Sequence, residues 1–570
     1  MIRAGTLFNS LVIGLSGFVL TACAQSEDYG QFAPPDALEN GSKLAYYGSE
    51  NEWSRRQFDA GKVAEQPNRL GQRLILAIQE GRPELAARWS EEYLAKNTHE
   101  LEALFALAIA QAQLGASEQA FATMQRAVDS GLPFERFVAG PRKLLAPLTS
   151  TKNFQRYLAE NPVRLVHGPM LGAMTDTSVR VWVRTASESD ITVRIFDHND
   201  AEDKTPEVTA SARTAKSMDY TGIVPVSGLK PATQYRYDLL VDDQSVFGEK
   251  RPTFQTFPRR GSANKLQIAF GGCAAYVPEH ERMWDTIRSL DPLAMLMLGD
   301  NVYIDLAEQA GPLHRYSYYQ RQSRPEFRRL TESVPVFAIW DDHDAAIDDV
   351  WFGPYRDKPA WKPSMLQLQK ENWINPSWGD TEWPGCWFKF SIGDVDFFML
   401  DCRYYRTNPF AKQRTMLGPV QKRWLLNELR KSDAAFKVIA SSVAWAPGAK
   451  PGSHDTWDGF SEEREEIFSL IDKNAIDGIV LLSADRHRSD ARLIPRLGGY
   501  ALYDFMSSRL TNFHTHELIP GALFDYNDKC SFGLLTFDTV RADPQVTYAI
   551  VNIDGESVHS LTLNKSDLSK

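Results

Sequence analysis

From about Lys265 onward the chain alternates short apolar runs with helical patterns, and nearly every run stops at polar or charged residues. The runs are LQIAF, LAMLML, VPVFAIW, VDFFML, FKVIASS and GIVLLS, with amphipathic stretches such as Pro419 to Arg430 and Glu462 to Lys473 between them. This pattern predicts an α/β layered domain. In open α/β sheets ligands bind outside the carboxyl ends of the strands. Five predicted ends carry polar groups: Gly-Gly-Cys273, Gly299-Asp300-Asn301-Val302-Tyr303, Asp341-Asp342-His343-Asp344, Asp401-Cys402-Arg403 and Ala484-Asp485-Arg486-His487.

Each end has a bland reading. Gly-Asp is a common turn, an acidic run is usually solvated, and Asp-Arg-His suits a surface ion pair. Their recurrence at several strand ends favours a single site. A carboxylate in a Gly-Asp turn, as at Asp300, is able to bridge two cations, because Gly299 allows close backbone approach. Imidazole suits transition metals, thiolate a softer or trivalent ion and carboxylate a harder one, so the mixed set implies two unlike ions. Two ions about 3.5 to 4 Å apart would polarise a phosphoryl oxygen and hold a hydroxide for in-line attack.

The motifs around these residues resemble the PhoD-like branch of the calcineurin-type metallophosphoesterases. They are the strand ending in Gly-x-Cys, Leu298-Gly-Asp-Asn-Val-Tyr303, Ile339-Trp-Asp-Asp-His-Asp344, Met399-Leu-Asp-Cys-Arg403, Asp455-Thr-Trp-Asp-Gly-Phe460 and Leu482-Ser-Ala-Asp-Arg-His487. The resemblance implies a pair of packed sheets flanked by helices (αββα), preceded by a fibronectin-like β-domain. It implies that Cys273, Asp300 and Tyr303 hold Fe³⁺, with Asp300 bridging to Ca²⁺; a Mn²⁺, Zn²⁺ or Mg²⁺ pair is the alternative. By the same resemblance Asp342 is a ligand of the second ion, Asp485 and His487 are the C-terminal ligand pair, and His343 stabilises or protonates the leaving oxygen. Asn301 and Arg403 are candidates for phosphate contact or for turn structure. The chain departs from the family pattern at Gly272, where Ser is frequent, at Ala484, where Gly is frequent, and at Ile347-Asp348-Asp349, where carboxylates stand in place of an amide.

Before this domain, Val179 to Arg184, Ile191 to Ile195 and Tyr235 to Val241 alternate with period two between turn residues, predicting a β-sandwich over 162–259. Gly228 to Tyr237 resembles a fibronectin-like corner with Leu and Tyr under a Pro turn. Over 62–161 apolar residues recur at helical spacing, and Ala103 to Val128 resembles one tetratricopeptide-like hairpin turning at Gly115. That unit is either a small helical domain or a surface for a protein partner. Residues 1–22 read as an export signal, since Arg3 precedes an apolar stretch too short and broken to span a membrane. Leu20-Thr21-Ala22-Cys23 resembles the bacterial lipobox, implying acylation of Cys23, a polar tether over 23–61 and, with Ala24 next, sorting to the outer membrane, on its periplasmic side or surface.

The domains are thus a signal peptide, a lipidated tether, a helical unit, a β-sandwich and a catalytic domain over 264–560. A length of 570 residues allows several cores. The net charge of -10 argues against a nucleic-acid-binding face. Five cysteines are too few for a disulfide scaffold, and pairing among Cys386, Cys402 and Cys530 is not readable. The expected function is phosphomonoester or phosphodiester hydrolysis by metal-bound hydroxide, with a phosphate ester as substrate. Two other readings stand beside it. One is a phospholipase- or envelope-polymer-type diesterase, whose cleft would be lined by Tyr316 to Tyr319 and Trp351 to Trp373. The other is a non-catalytic envelope binding protein.

Overall fold

The computed structural model describes residues 69–199, 205–248 and 250–570. The expected signal, Cys23 and the tether lie outside the described residues. No helix among the described residues is long and apolar enough to cross a membrane.

The catalytic region is built on two sheets. In the first, Lys265–Gly271, Ala294–Leu298 and Val336–Ile339 are parallel neighbours, and the C-terminal strands Ser531–Asp538, Gln545–Asn552 and Ser557–Asn564 extend it antiparallel. The last strand carries the domain past the expected boundary at 560. In the second sheet, Val395–Met399, Phe436–Ala440, Ile479–Ser483 and Leu502–Ser507 run parallel. Ala294–Leu298, Val336–Ile339, Val395–Met399, Phe436–Ala440 and Ile479–Ser483 are buried along their whole length. Continuous apolar runs, rather than alternating ones, suit strands covered on both faces.

The inner faces interlock through aromatic rings: Phe337 stacks on Phe390 at 3.8 Å, and Tyr548 on Phe505 at 4.5 Å. On the outer face of the second sheet, Leu425 and Leu429 of Gly418–Lys431 and Ile467 and Ile471 of Ser461–Lys473 pack against Phe398, Ile439 and Leu481. This is the expected αββα layering. At the carboxyl edge Gly272 bridges Ser508, joining the ends of the two sheets beneath the residues expected to react.

The β-region differs from a free-standing sandwich. Its strands Leu165–Gly172, Ser178–Thr185 and Thr221–Ser227 continue the first catalytic sheet, because Leu165–Gly172 pairs parallel with Val336–Ile339. The second layer is Val208–Arg213, Asp190–Asp197, Gln234–Val241 and Gln244–Ser245, with Thr253–Gln255 beside it. Leu229 and Tyr235 are buried at the corner, and the Tyr235 hydroxyl accepts from Lys230 N at 2.9 Å.

The helical unit includes Leu70–Gln79, Pro83–Leu94, Leu101–Gln113 and Ser117–Asp129, the last two turning at Gly115 with φ +79°. It docks on the catalytic helix Pro312–Gln322. A Cβ on Gly71 would lie 1.6 Å from the Tyr316 hydroxyl, so only glycine allows this approach. Tyr316, Tyr318, Tyr319, Trp361 and Trp373 of the stretch expected to line an aromatic cleft are core residues, while Trp351 is half-buried and Tyr355 exposed. The four described cysteines, Cys273, Cys386, Cys402 and Cys530, are buried and free.

At this junction Glu102 is 2% exposed, and it accepts from Arg136 at 2.8 Å, Tyr316 at 2.7 Å and Arg324 at 3.3 Å. Burial would raise its pKa, but the Arg136 charge and hydrogen bonds, aided by Arg324, hold it down at about 2. Glu102→Ala should destabilise the protein by about 3 kcal/mol, because it strands buried arginines without a partner. The carboxylate's contribution should be fully present above its unfolded-state pKa and lost as pH falls toward about 2. Denaturation midpoints of wild type and variant at neutral and acidic pH check this: the two proteins should converge in acid.

Candidate active site

The strand ends hold their polar side chains with unusual backbone. Cys273 has φ +60°, Asp300 +52°, Asp485 +70° and His487 +47°. Left-handed non-glycine residues cost on the order of 1–3 kcal/mol each and concentrate where function holds them in place. Gly299, at φ +106°, permits the turn, since a Cβ there would lie 2.5 Å from that of Asp341. Crossing hydrogen bonds, Cys273 N to Gly299 O at 3.1 Å and Ala274 N to Asp300 O at 2.7 Å, set the two strand ends side by side.

Asp300 sits between two donor groups. Cys273, Asp300 and His487 offer ligand atoms within 4.8 Å of one another, and so do Asp300, Asp342 and His343. The Cys273 Sγ is 3.5 Å from Asp300 Oδ2, to which Tyr303 OH donates at 3.1 Å. Tyr303 OH lies 3.3 Å from His487 Nε2 and accepts from Asn512 Nδ2 at 2.8 Å. On the other side, Asp342 Oδ1 accepts from His343 N at 3.0 Å and Oδ2 from Asp349 N at 2.7 Å. The carboxylates of Asp348 and Asp349 lie with Asp342 in a further group within 4.8 Å, where the family pattern has an amide. Asp485 is outside these groups and faces Lys450 at 3.7 Å and Arg486 at 3.8 Å.

These donors fit metal ions. Asp300 Oδ1 is buried with no hydrogen-bond partner among the described residues, and burial and the carboxylates of Asp342, Asp341 and Asp344 push its pKa well up despite the opposing His343. Burial and the Asp300 charge likewise push up the Cys273 thiol and the Tyr303 phenol, which a bound cation would reverse. Burial, then His516 and His514, keep His487 neutral, the form in which imidazole ligates. Arg403 and His343 hold Asp342 below the ordinary carboxylate range despite burial. For His343, burial would lower the pKa, but Asp300, Asp342 and Asp348 outweigh it and the net shift is upward.

Asn301 and Arg403 serve beneath the site rather than in it. Asn301 Nδ2 donates to Ile339 O at 2.8 Å, and its backbone N donates to Asp344 at 2.9 Å. Arg403, fully buried, donates to Asp341 at 2.5 Å and to Asp455 at 2.7 and 3.2 Å, and approaches Asp342 at 3.5 Å. Neither lines the cavity above the donors. That cavity, about 380 Å³, is bounded by Tyr303, His343, Asp485 and His487 together with Arg69, Lys450, Arg486 and the loop Asn512 to His516. The sequence reading did not single out Arg69, Lys450, Asn512, His514 or His516. Asn512 follows the strand Leu502–Ser507, whose carboxyl end was the signal that would have drawn attention to it.

The departures at Gly272 and Ala484 are neighbours in space. A Cβ on Gly272 would lie 2.8 Å from the Ala484 Cβ and 2.9 Å from Gly299 O, so the methyl of Ala484 takes room that a side chain at 272 would need. Ala484 is not among the residues with positive φ, so alanine is tolerated there.

Two facing sheets under helices, with oxygen, nitrogen and sulfur donors gathered at their shared carboxyl edge, define a metallophosphoesterase-type α/β domain. Residues 268–562 match the PhoD-like phosphatase family, and the chain belongs to it. Residues 162–259 match a domain of unknown function, DUF7800. The chain is 31% identical to alkaline phosphatase D of Bacillus subtilis (strain 168) over 322 residues, 48% of this chain and 54% of that protein. It thus spans about half the length of that curated relative. Among solved structures, PhoD superposes with a TM-score of 0.57 at 18% identity, over 70% of this chain and 90% of that one. Purple acid phosphatase PPD1 from yellow lupin (Lupinus luteus) seeds gives a TM-score of 0.52 at 12% identity, over 71% and 76% of the two chains. Both share the fold.

Gly272→Ser should cost on the order of 1–3 kcal/mol by overpacking in the natural background and at least ~1 kcal/mol less when combined with Ala484→Gly. Unfolding midpoints of the two single variants and the double variant measure it; equal losses in both backgrounds would remove Ala484 as the cause.

Proposed function

We propose that this protein is a metal-dependent phosphoesterase, acting on phosphomonoesters, phosphodiesters or both, with two ions on either side of Asp300. The observation that carries the reading is the position of Asp300, shared by a thiol, phenol and imidazole group on one side and a carboxylate and imidazole group on the other. Bound together, the ions would supply Lewis acidity toward a phosphoryl oxygen and a nucleophile at neutral pH. Cys273, Tyr303, Asp300 and His487 would hold the first, and Fe³⁺ suits them because only a strongly acidic cation turns so deeply buried a phenol and thiol into anions. Asp342 would hold the second, with Asp485 at the border of the same cavity as a further ligand; Ca²⁺ suits a carboxylate set enlarged by Asp348 and Asp349.

The protein's own residues would do the rest. Lys450, Arg486 and Arg69 border the cavity and offset the charge of an anionic ester. His343 Nδ1 is engaged by Asp305, which leaves Nε2 to hold the proton for the departing oxygen. Export and anchoring through acylated Cys23 would place this activity at the bacterial cell envelope, where phosphate esters are met outside the cytoplasm.

The purified full-length protein should release nitrophenol from mono- or bis-nitrophenyl phosphate and lose this activity to a chelator. His343→Ala should lower kcat by about 10²- to 10⁴-fold. Elemental analysis should find iron and calcium, and the protein should be coloured. Full activity in chelator and in His343→Ala would defeat the reading, and a colourless, iron-free but active protein would replace Fe³⁺ with another ion.

A further inference from the structure

Arg69 stands at the start of the helix Leu70–Gln79, in the unit that precedes both β-regions, yet it borders the catalytic cavity. Its guanidinium pairs with Asp305 Oδ2, and the other oxygen of Asp305 engages His343 Nδ1. The Arg69 side chain is 17% exposed and that of Asp305 4%. Among the described residues Asp305 Oδ2 is buried with no hydrogen bond from any other donor, so Arg69 is what compensates that end of the carboxylate. Removing the guanidinium would leave a buried charge half satisfied, and the carboxylate would gain by turning away from the imidazole toward water. The His343 ring is also flanked by the Tyr303 ring 4.5 Å away, and its Nε2 lies 3.7 Å from Asp348 Oδ1, too far for a hydrogen bond to fix it.

The helix bearing Arg69 is itself pinned to the catalytic domain. Gln72 Nε2 donates to the Tyr303 carbonyl, Gln79 Oε1 accepts from Leu313 N at 2.9 Å, and Gly71 rests against Tyr316. The Glu102 cluster locks the unit's next layer to the same helix. Contacts on several sides mount the helix rigidly, which is what a support for a reacting imidazole requires.

We propose that Arg69 is a positioning residue: by fixing Asp305 it fixes the imidazole of His343, which makes the helical unit part of the active-site framework. The proposal rests on the role given to His343 above. It also gives the unit a purpose other than recruiting a partner.

The test uses the metal-loaded full-length protein with p-nitrophenyl phosphate. Arg69→Gln should lower kcat by about 10- to 100-fold with KM changed less than about threefold, because misplacement of a catalytic group is felt in the transition state rather than in binding. Arg69→Lys should recover part of the loss. In a His343→Ala background Arg69→Gln should add nothing further, as expected for a residue acting through that histidine. Metal content should match the wild type and the variant should stay fully folded at the assay temperature, and a crystal structure of the Arg69→Gln protein should show the His343 ring in more than one orientation.

Unchanged kcat, a raised KM at unchanged kcat, or a loss that tracks unfolding at the assay temperature would each overturn the proposal. So would an unmoved His343 ring. If the wild type hydrolyses no ester, the functional reading fails by itself, and the ring orientation in the Arg69→Gln crystal still decides whether Arg69 positions His343.

Discussion

Asp300 is 1% exposed, surrounded by the carboxylates of Asp341, Asp342 and Asp344, and one of its oxygens meets no donor among the described residues. A buried anion in that state costs several kcal/mol unless positive charge reaches it. The neighbouring side chains do not supply enough of that charge: Cys273 and Tyr303 are themselves acids, His487 is neutral, and His343 opposes the shift without overcoming it. The arrangement is therefore organised around cations, and the rest of the fold holds these mutually repelling donors still.

That work is divided between layers. The bridge from Gly272 to Ser508 ties one sheet to the other directly under the thiol, so the donors of both sheets share one floor. Arg403 spreads its donors over Asp341 and Asp455 and approaches Asp342, while Arg406 adds a further bond to Asp455 at 2.6 Å. Removing any partner from such a buried network leaves a charge uncompensated, so the acids outside the donor groups matter as much as those inside. The helical unit closes the remaining side, with Arg69 on Asp305 and Gln72 on the Tyr303 carbonyl.

Sequence periodicity exposes part of this and hides the rest for physical reasons. Cys273, Asp300, Asp342 and His487 were legible because each follows a run apolar enough to be a buried strand. Tyr303 entered through family resemblance alone, and the geometry puts its hydroxyl 3.1 Å from Asp300. Arg403 follows the same kind of strand end, but sequence does not tell a residue reaching up to substrate from one reaching sideways to brace its neighbours. The alternation in Val179 to Arg184 signals a strand, but Leu165–Gly172 beside it does not alternate, and it is this strand that pairs with Val336–Ile339, so the fusion of the β-region to the catalytic sheet was invisible. Arg69 was beyond reach altogether, since only the docking of the helical unit brings it to the site, and the cue for that docking, Gly71 against Tyr316, is a single small residue.

The central claim is that Asp300 lies between two bound ions. Anomalous diffraction from crystals of the metal-loaded protein, collected at the iron edge and at longer wavelength for calcium, addresses it directly. The account predicts two peaks about 3.5 to 4 Å apart flanking Asp300, one beside Cys273 and Tyr303 and the other beside Asp342. A single peak, or peaks that leave Asp300 uncoordinated, would contradict it.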